Sequence, residues 1–321
     1  MNNYGYSRLW RARVRSAWGI RRRGARLRGM GEGSTHAGSA RIVYLMRHAE
    51  SRYNQAVQQW DVAKMVGETD HGLSTRGLAQ CRTLQTRIGR DDASDEDASK
   101  LRSSNRMTVS SPLCRAILTA HLALPPCPNP IIALPEAREH CMVPLFSRDS
   151  EGTSAPRLPS HVCSELSELI RVAGSGPAEL EAPAPPPLDL SRLPADKKWW
   201  TVAEAGSSVD SRLGAALRAL ADVADAHEDA ATVLVGHSHA MRRLFRNHAT
   251  EAFKGTKLGR RLGEEMVANC AILRVRLEDV AGASRNTPPS ITDAELLFGS
   301  TFKGDPSCSL PPPHPAGDAG P

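Results

Sequence analysis

Arg41-Ile-Val-Tyr-Leu-Met-Arg47-His48-Ala-Glu50-Ser-Arg-Tyr-Asn54 is the stretch on which the fold turns. Its apolar run, Ile42 to Met46, is short, partly β-branched and bounded by arginine on both sides, which predicts a buried strand. The strand ends in a cation and an imidazole side by side. In an open α/β sheet ligands collect outside the carboxyl ends of the strands, so Arg47 and His48 stand where chemistry is expected.

Four stretches further along supply partners. They are Asp70-His-Gly-Leu73-Ser-Thr-Arg-Gly77-Leu-Ala-Gln80, Val109-Ser-Ser111-Pro-Leu113-Cys-Arg115-Ala-Ile-Leu-Thr119-Ala120, Leu134-Pro-Glu136-Ala-Arg-Glu139-His140 and Ala231-Thr-Val-Leu-Val235-Gly236-His237-Ser238-His239. A strand at Met107–Ser110 hands over to a helix predicted to begin at Pro112, because proline is favoured at the first helical position. Ser111 and Arg115 then face the crevice that holds Arg47. A second apolar strand, Thr232–Val235, leads through Gly236, which permits tight backbone approach, to His237. Three strand ends thus bring two arginines and two histidines to one site. Phosphoryl transfer depends mostly on positioning and charge stabilisation, and the planar arginine fork suits phosphate oxygens. In the Asp70–Gln80 stretch, Leu73 is expected in the core and Ser74 or Thr75 is expected to cap a helix over Thr75–Arg90. Glu50 is expected to be a first-turn helix acid.

Together these five motifs, in order over residues 41–277, resemble the histidine phosphatase superfamily, which includes the cofactor-dependent phosphoglycerate mutases. The family opens with Arg-His-Gly-Glu and an Asn a few residues on, matched by Arg47, His48, Glu50 and Asn54, with Ala49 in place of the usual Gly. The resemblance implies that His48 is the nucleophile and is transiently phosphorylated. It implies that Arg47, Arg115 and His237 bind the phosphoryl oxygens and stabilise transition-state charge. Neighbouring cations should lower the pKa of His48 and keep it neutral. The leaving oxygen needs a proton donor, and Glu139 matches the family position, with Glu136 three residues earlier as competitor. Asn54 either binds substrate or fixes its loop. No cofactor or metal is implied. The glycolytic mutases have a shorter loop than the one between Asn54 and Asp70, and their characteristic Gly-Trp region is missing. The expected activity is therefore hydrolysis of phosphomonoesters, small or protein-borne, with mutase-type transfer and a catalytically silent phosphate-binding protein as alternatives.

A rival reading starts from His237-Ser-His239, since strand, Gly and His-x-His also resemble the end of a dinuclear metallophosphoesterase. That family needs an early Asp-x-His, and the one such sequence here, Asp225-Ala-His227, lies at the end of an amphipathic helix. Its other two motifs are absent, and His239 is read as helix start or pocket wall.

Strands at 42–46, 107–110, 131–134, 232–235 and 270–277 alternate with helices. This predicts an α/β fold with a mixed, mostly parallel sheet and helices on both faces, the phosphoglycerate mutase-like three-layer α/β/α arrangement. Helices are predicted at Cys163–Val172, Ser208–His227 and His239–Asn247, and a loop at Asp91–Ser104. Glu204-Ala-Gly-Ser-Ser208 resembles the family's Gly-Glu-Ser region, with Ser207 where Glu is usual.

Nine arginines lie between Arg8 and Arg28 and no acid precedes Glu32, so the formal net charge of +6 belongs to that arm. Such an arm is read as an organellar transit segment, a nucleic-acid arm or a mis-assigned start ahead of Met30, with nucleic acid the minor option. The expected domains are a basic arm at 1–40, a catalytic domain at 41–300 with a flexible insertion at about 147–194, and a Pro/Gly-rich tail at 301–321. In the resembled family the segment between the acid and the second histidine often covers the site and helps select substrate. No run approaches the roughly 18 apolar residues that span a bilayer. Seven scattered cysteines without Cys-x-x-Cys spacing fit reduced thiols and a cytoplasmic location, or an organelle if the arm is a transit segment. The sequence leaves oligomeric state open.

Overall fold

The run that follows Ala40 lies inside a sheet because its apolar residues from Val43 to Met46 are buried on both faces. From Val43 to Arg47 every residue of strand β1, Arg41–Arg47, is buried. The computed structural model describes residues 40–90, 95–140, 151–173, 184–195, 198–200, 204–282, 284 and 286–305. Among these, six further strands join β1: β2 (Met107–Ser110), β3 (Ile131–Ala133), β4 (Leu188–Asp189), β5 (Thr232–Gly236), β6 (Ile272–Glu278) and β7 (Ser290–Leu297). Their order is β4-β3-β2-β5-β1-β6-β7. The five strands from β4 to β1 run parallel, and β6 and β7 add on antiparallel. The fold is therefore the expected mixed, mostly parallel sheet with helices.

Side chains alternate across β1 with period two. Tyr44 and Met46 join a core with helices α3 (Thr75–Gly89), α5 (Cys114–Ala123) and α6 (Leu158–Ala173). Val43 and Leu45 join the opposite core with α7 (Gly206–Ala226), α8 (Ser238–His248), α9 (Glu251–Lys254) and α10 (Lys257–Glu264). The remaining helices are short: α1 (Arg52–Gln59), α2 (Val62–Gly67) and α4 (Glu96–Arg102).

Several elements differ from expectation for local reasons. Helix α5 begins at Cys114 with Leu113 as its N-cap, so Pro112 lies ahead of the helix. The stretch 95–104 is not all loop: Asp95 accepts from Ala98 N at 2.9 Å and caps α4, whose acids stand first and bases last. Helix α6 is longer than Cys163–Val172, because Leu158, Val162, Leu166 and Leu169 extend the buried stripe toward its start. Together with β4, it gives regular structure to parts of the stretch expected to be a flexible insertion. Strand β7 escapes the sequence reading because its alternation is interrupted by Asp293 and Glu295 on an exposed edge. The basic arm up to residue 39, the tail from 306, Cys141 and Cys308 lie outside the described residues.

Candidate active site

Parallel strands end on one side of the sheet, and the chemistry-bearing residues follow those ends. Arg47 N donates to Ala271 O at 2.9 Å and His48 N donates to Gly236 O at 3.0 Å, which clamps the end of β1 between its two neighbours. Ser111 N donates to Val235 O at 2.9 Å just past β2, and His237 follows β5 as the N-cap of α8. The side chains of Arg47, His48, Arg115 and His237 are 4 % exposed or less. The two imidazoles lie with ring centroids 5.0 Å apart, tilted by 60°.

The imidazole of His48 is oriented by its own loop. Its Nδ1–H donates to Ala49 O at 2.6 Å, and because a carbonyl can only accept, the lone pair is left on Nε2. Ala49 N in turn donates to Thr119 Oγ1 at 2.9 Å, and Asn269 Nδ2 donates to His48 O at 3.0 Å. His237 Nε2 pairs with Ser111 Oγ at 2.8 Å, while its Nδ1 is buried without a hydrogen-bond partner among the described residues. The Arg47 guanidinium donates to Val267 O at 2.6 Å. Burial, then the charges of Arg115 and Arg47, push the His48 pKa well below its ordinary value. Burial and the positive field of Arg115, His48, Arg212 and Arg47 do the same at His237. The downward shift is in the expected direction, with burial a larger cause than the neighbouring cations.

The acids are placed less simply. Glu139 Oε1 accepts from His140 N at 2.9 Å and from Ala240 N at 3.1 Å, and Oε2 accepts from His239 N at 3.4 Å. Its carboxylate therefore sits on the first turn of α8, against the positive end of the helix that His237 caps. Glu136 contributes its carbonyl to Arg212 Nη1 at 2.7 Å, while its buried Oε2 has no hydrogen-bond partner among the described residues. Glu204, from the region likened to Gly-Glu-Ser, pairs with both Arg138 and Arg212. His239 lies in the first turn of α8, as expected. Among the described residues, no three His, Cys, Asp or Glu side chains converge in a group that could hold a metal.

Asn54 closes a capping box on α1: its Oδ1 accepts from Ser51 N at 3.3 Å and its N–H donates to Ser51 Oγ at 3.1 Å. Glu50 lies before that cap and is buried, not a first-turn acid. It accepts from Ser74 Oγ at 2.8 Å, and its carbonyl accepts from Ser74 N at 2.9 Å. Ser74 is the helix cap and Leu73 is buried, as the sequence predicts. Gly77 has to be glycine, since a Cβ there would stand 2.1 Å from Glu50 O.

Three contributing residues escape sequence reading. Thr119 stands one helical turn after Arg115, a spacing that could have flagged it, and donates to Arg115 O at 2.7 Å. Asp70 opens the Asp70–Gln80 motif, whose sequence points only to a structural role. It is fully buried, accepts from Cys114 N at 2.7 Å at the start of α5, and burial pushes its carboxyl up to about 6. Asn269 carries no local signal at all.

Residues 43–151, which hold His48, Arg115 and Glu139, match the model of the histidine phosphatase superfamily (branch 1), the family that the motifs resemble. No curated protein matches the chain. Solved structures do. A phosphoserine phosphatase from Entamoeba histolytica is 14% identical, with 84% of this chain and 99% of that chain covered and a TM-score of 0.38. A phosphoglycerate mutase from Bacillus anthracis is 16% identical, with coverage of 81% and 94% and a TM-score of 0.39. The ecdysone phosphate phosphatase of Bombix mori is 16% identical, with coverage of 79% and 95% and a TM-score of 0.40.

Proposed function

We propose, on the histidine phosphatase superfamily match over residues 43–151, that this chain is a phosphomonoester hydrolase working through a phosphohistidine. The single observation that carries the reading is the pair of buried imidazoles, 5.0 Å apart, in the field of two buried arginines. Guanidinium forks beside neutral imidazoles suit the oxygens of a phosphate group.

In the proposed reaction, Nε2 of His48 attacks phosphorus. The N–P bond forms as the bond to the ester oxygen breaks, and Glu139 gives that oxygen its proton. Arg47, Arg115 and His237 hold the three non-bridging oxygens, where charge develops. Water then attacks phosphorus, Glu139 takes its proton, the N–P bond breaks and phosphate leaves. Asn54 is assigned to the phosphate-binding side of the loop it caps. The catalytic domain is taken as residues 41–300, with the segment between Glu139 and His237 selecting the substrate. Water as acceptor, and not a second substrate hydroxyl, follows the sequence features that separate this chain from the glycolytic mutases.

Brief exposure to a phosphorus-labelled monoester should leave an acid-labile, base-stable label on the protein that disappears in His48→Ala. Label retained by that variant would remove His48 from the role.

A further inference from the structure

A cavity of 290 Å³ opens on the same rim of the sheet as His48, on the side toward β6 and β7. It lies between α3 and the segments 268–271 and 298–303, and the side chains of His48, His237, Arg47 and Arg115 do not line it. Three cations reach it from separate places: Arg76 in the first turn of α3, Arg87 in its last turn, and Lys303 beyond β7. Glu50 is the one acid in its wall, and it is already engaged by Ser74 Oγ at 2.8 Å, Gln58 Nε2 at 3.3 Å and Arg76 at 3.5 Å. Lys303 is exposed, and among the described residues its ammonium has no ion-pair partner. The wall is therefore net positive, with fork-shaped donors in it.

Its backbone is also unusual. Cys270 and Phe298, both in the wall, have φ of 58° and 54°, a left-handed conformation costly for side chains of their size. Such strain persists only where the surroundings over-determine it, and it gathers at binding sites. Here Arg87 Nη1 donates to Phe298 O at 2.9 Å and holds that turn in place. One wall residue reaches His48: Asn269 lines the cavity and donates to His48 O at 3.0 Å.

We propose that this cavity is a second anion site, which binds a small, multiply charged phosphate compound apart from the catalytic crevice and is coupled to His48 through Asn269. Three cations call for at least a dianion, and the volume suits a compact molecule at the small end of ligand pockets.

The test is calorimetric titration of the full chain with methylenebisphosphonate, which phosphatase chemistry does not cleave, at constant ionic strength. Two molecules should bind per chain, one after Arg115→Ala, and one after the triple change Arg76→Gln, Arg87→Gln and Lys303→Gln. Lys303→Gln alone, at an exposed position, should weaken the second site several-fold and leave the first unchanged, which guards against a folding defect in the triple variant. Occupancy of the second site should also change kcat for a nitrophenyl ester instead of acting by competition alone. A single site in the wild-type chain, or two sites that survive the triple change, overturns the proposal. Loss of one site in the triple variant with none lost in Arg115→Ala would support it, while removing Arg115 from phosphate binding.

Discussion

At the scale of single residues, the short bond from His48 Nδ1 to Ala49 O determines which nitrogen can attack. Burial and the arginines keep both imidazoles neutral to lower pH than a free histidine. The acid limb of kcat/KM should accordingly lie well below pH 6.5; a limb at 6.5 would mean that His48 titrates as a free imidazole. Stability carries the same signature. The unfolded chain takes up protons at these histidines near pH 6.5, the folded chain only at lower pH. Their contribution is complete above 6.5 and is lost as pH falls from there toward the folded values. Asp70, raised from 3.8 to about 6, acts in the opposite sense, contributing below 3.8 and losing that contribution as pH rises through about 6. Replacing His237 by Gln should therefore lessen the decline in Tm between pH 7 and 5, and an unchanged decline would remove His237 from the explanation. For the proton donor, Glu139→Gln should slow an alkyl phosphate by roughly 10²–10⁴ and a nitrophenyl ester much less. Glu136, which touches α7 through its carbonyl, should matter less when changed to Gln. The reverse ranking would exchange the two roles.

At the scale of elements, the loop that carries His48 is held by the helix packed under it. Ser74 caps α3 and also grips Glu50, two residues from His48, and Gly77 lets the helix approach the Glu50 carbonyl. Gly77→Ala forces a backbone shift at that contact and should cost about 1–3 kcal/mol, read as a lower denaturation midpoint. Because the shift falls on the His48 loop, kcat should drop as well, and a variant with wild-type kcat and midpoint would show that the loop yields freely. Elements with strong local signals were legible from sequence: β1 and β5 as bounded apolar runs, α3 from its serine cap, and α7 from its repeating apolar stripe. Helix α4 was hidden because an acidic, serine-rich composition reads as loop, although Asp95 is a cap. Strand β7 was hidden because Asp293 and Glu295 interrupt its apolar alternation.

At the scale of the molecule, the charge proposed to bind phosphate comes from two arginines, carried with two neutral imidazoles to one rim by segments far apart in sequence. Activity should therefore survive exhaustive chelation, measured as phosphate release. Collapse on chelation and recovery with manganese or zinc would favour metal chemistry at His237 and His239. The sequence alone determined the kind of sheet and that Arg47, His48, Arg115 and His237 gather at one rim, because each directly follows an apolar run or sits at a helix start, signals that are local. Only the tertiary structure decided that Asn269 and Thr119 hold the His48 loop, that Asp70 is buried at the start of α5, and that Glu139 rests on the first turn of α8. These are contacts between segments distant in the chain. The physical reason is that a hydrogen bond across such a separation leaves no periodicity or spacing in the residues that make it.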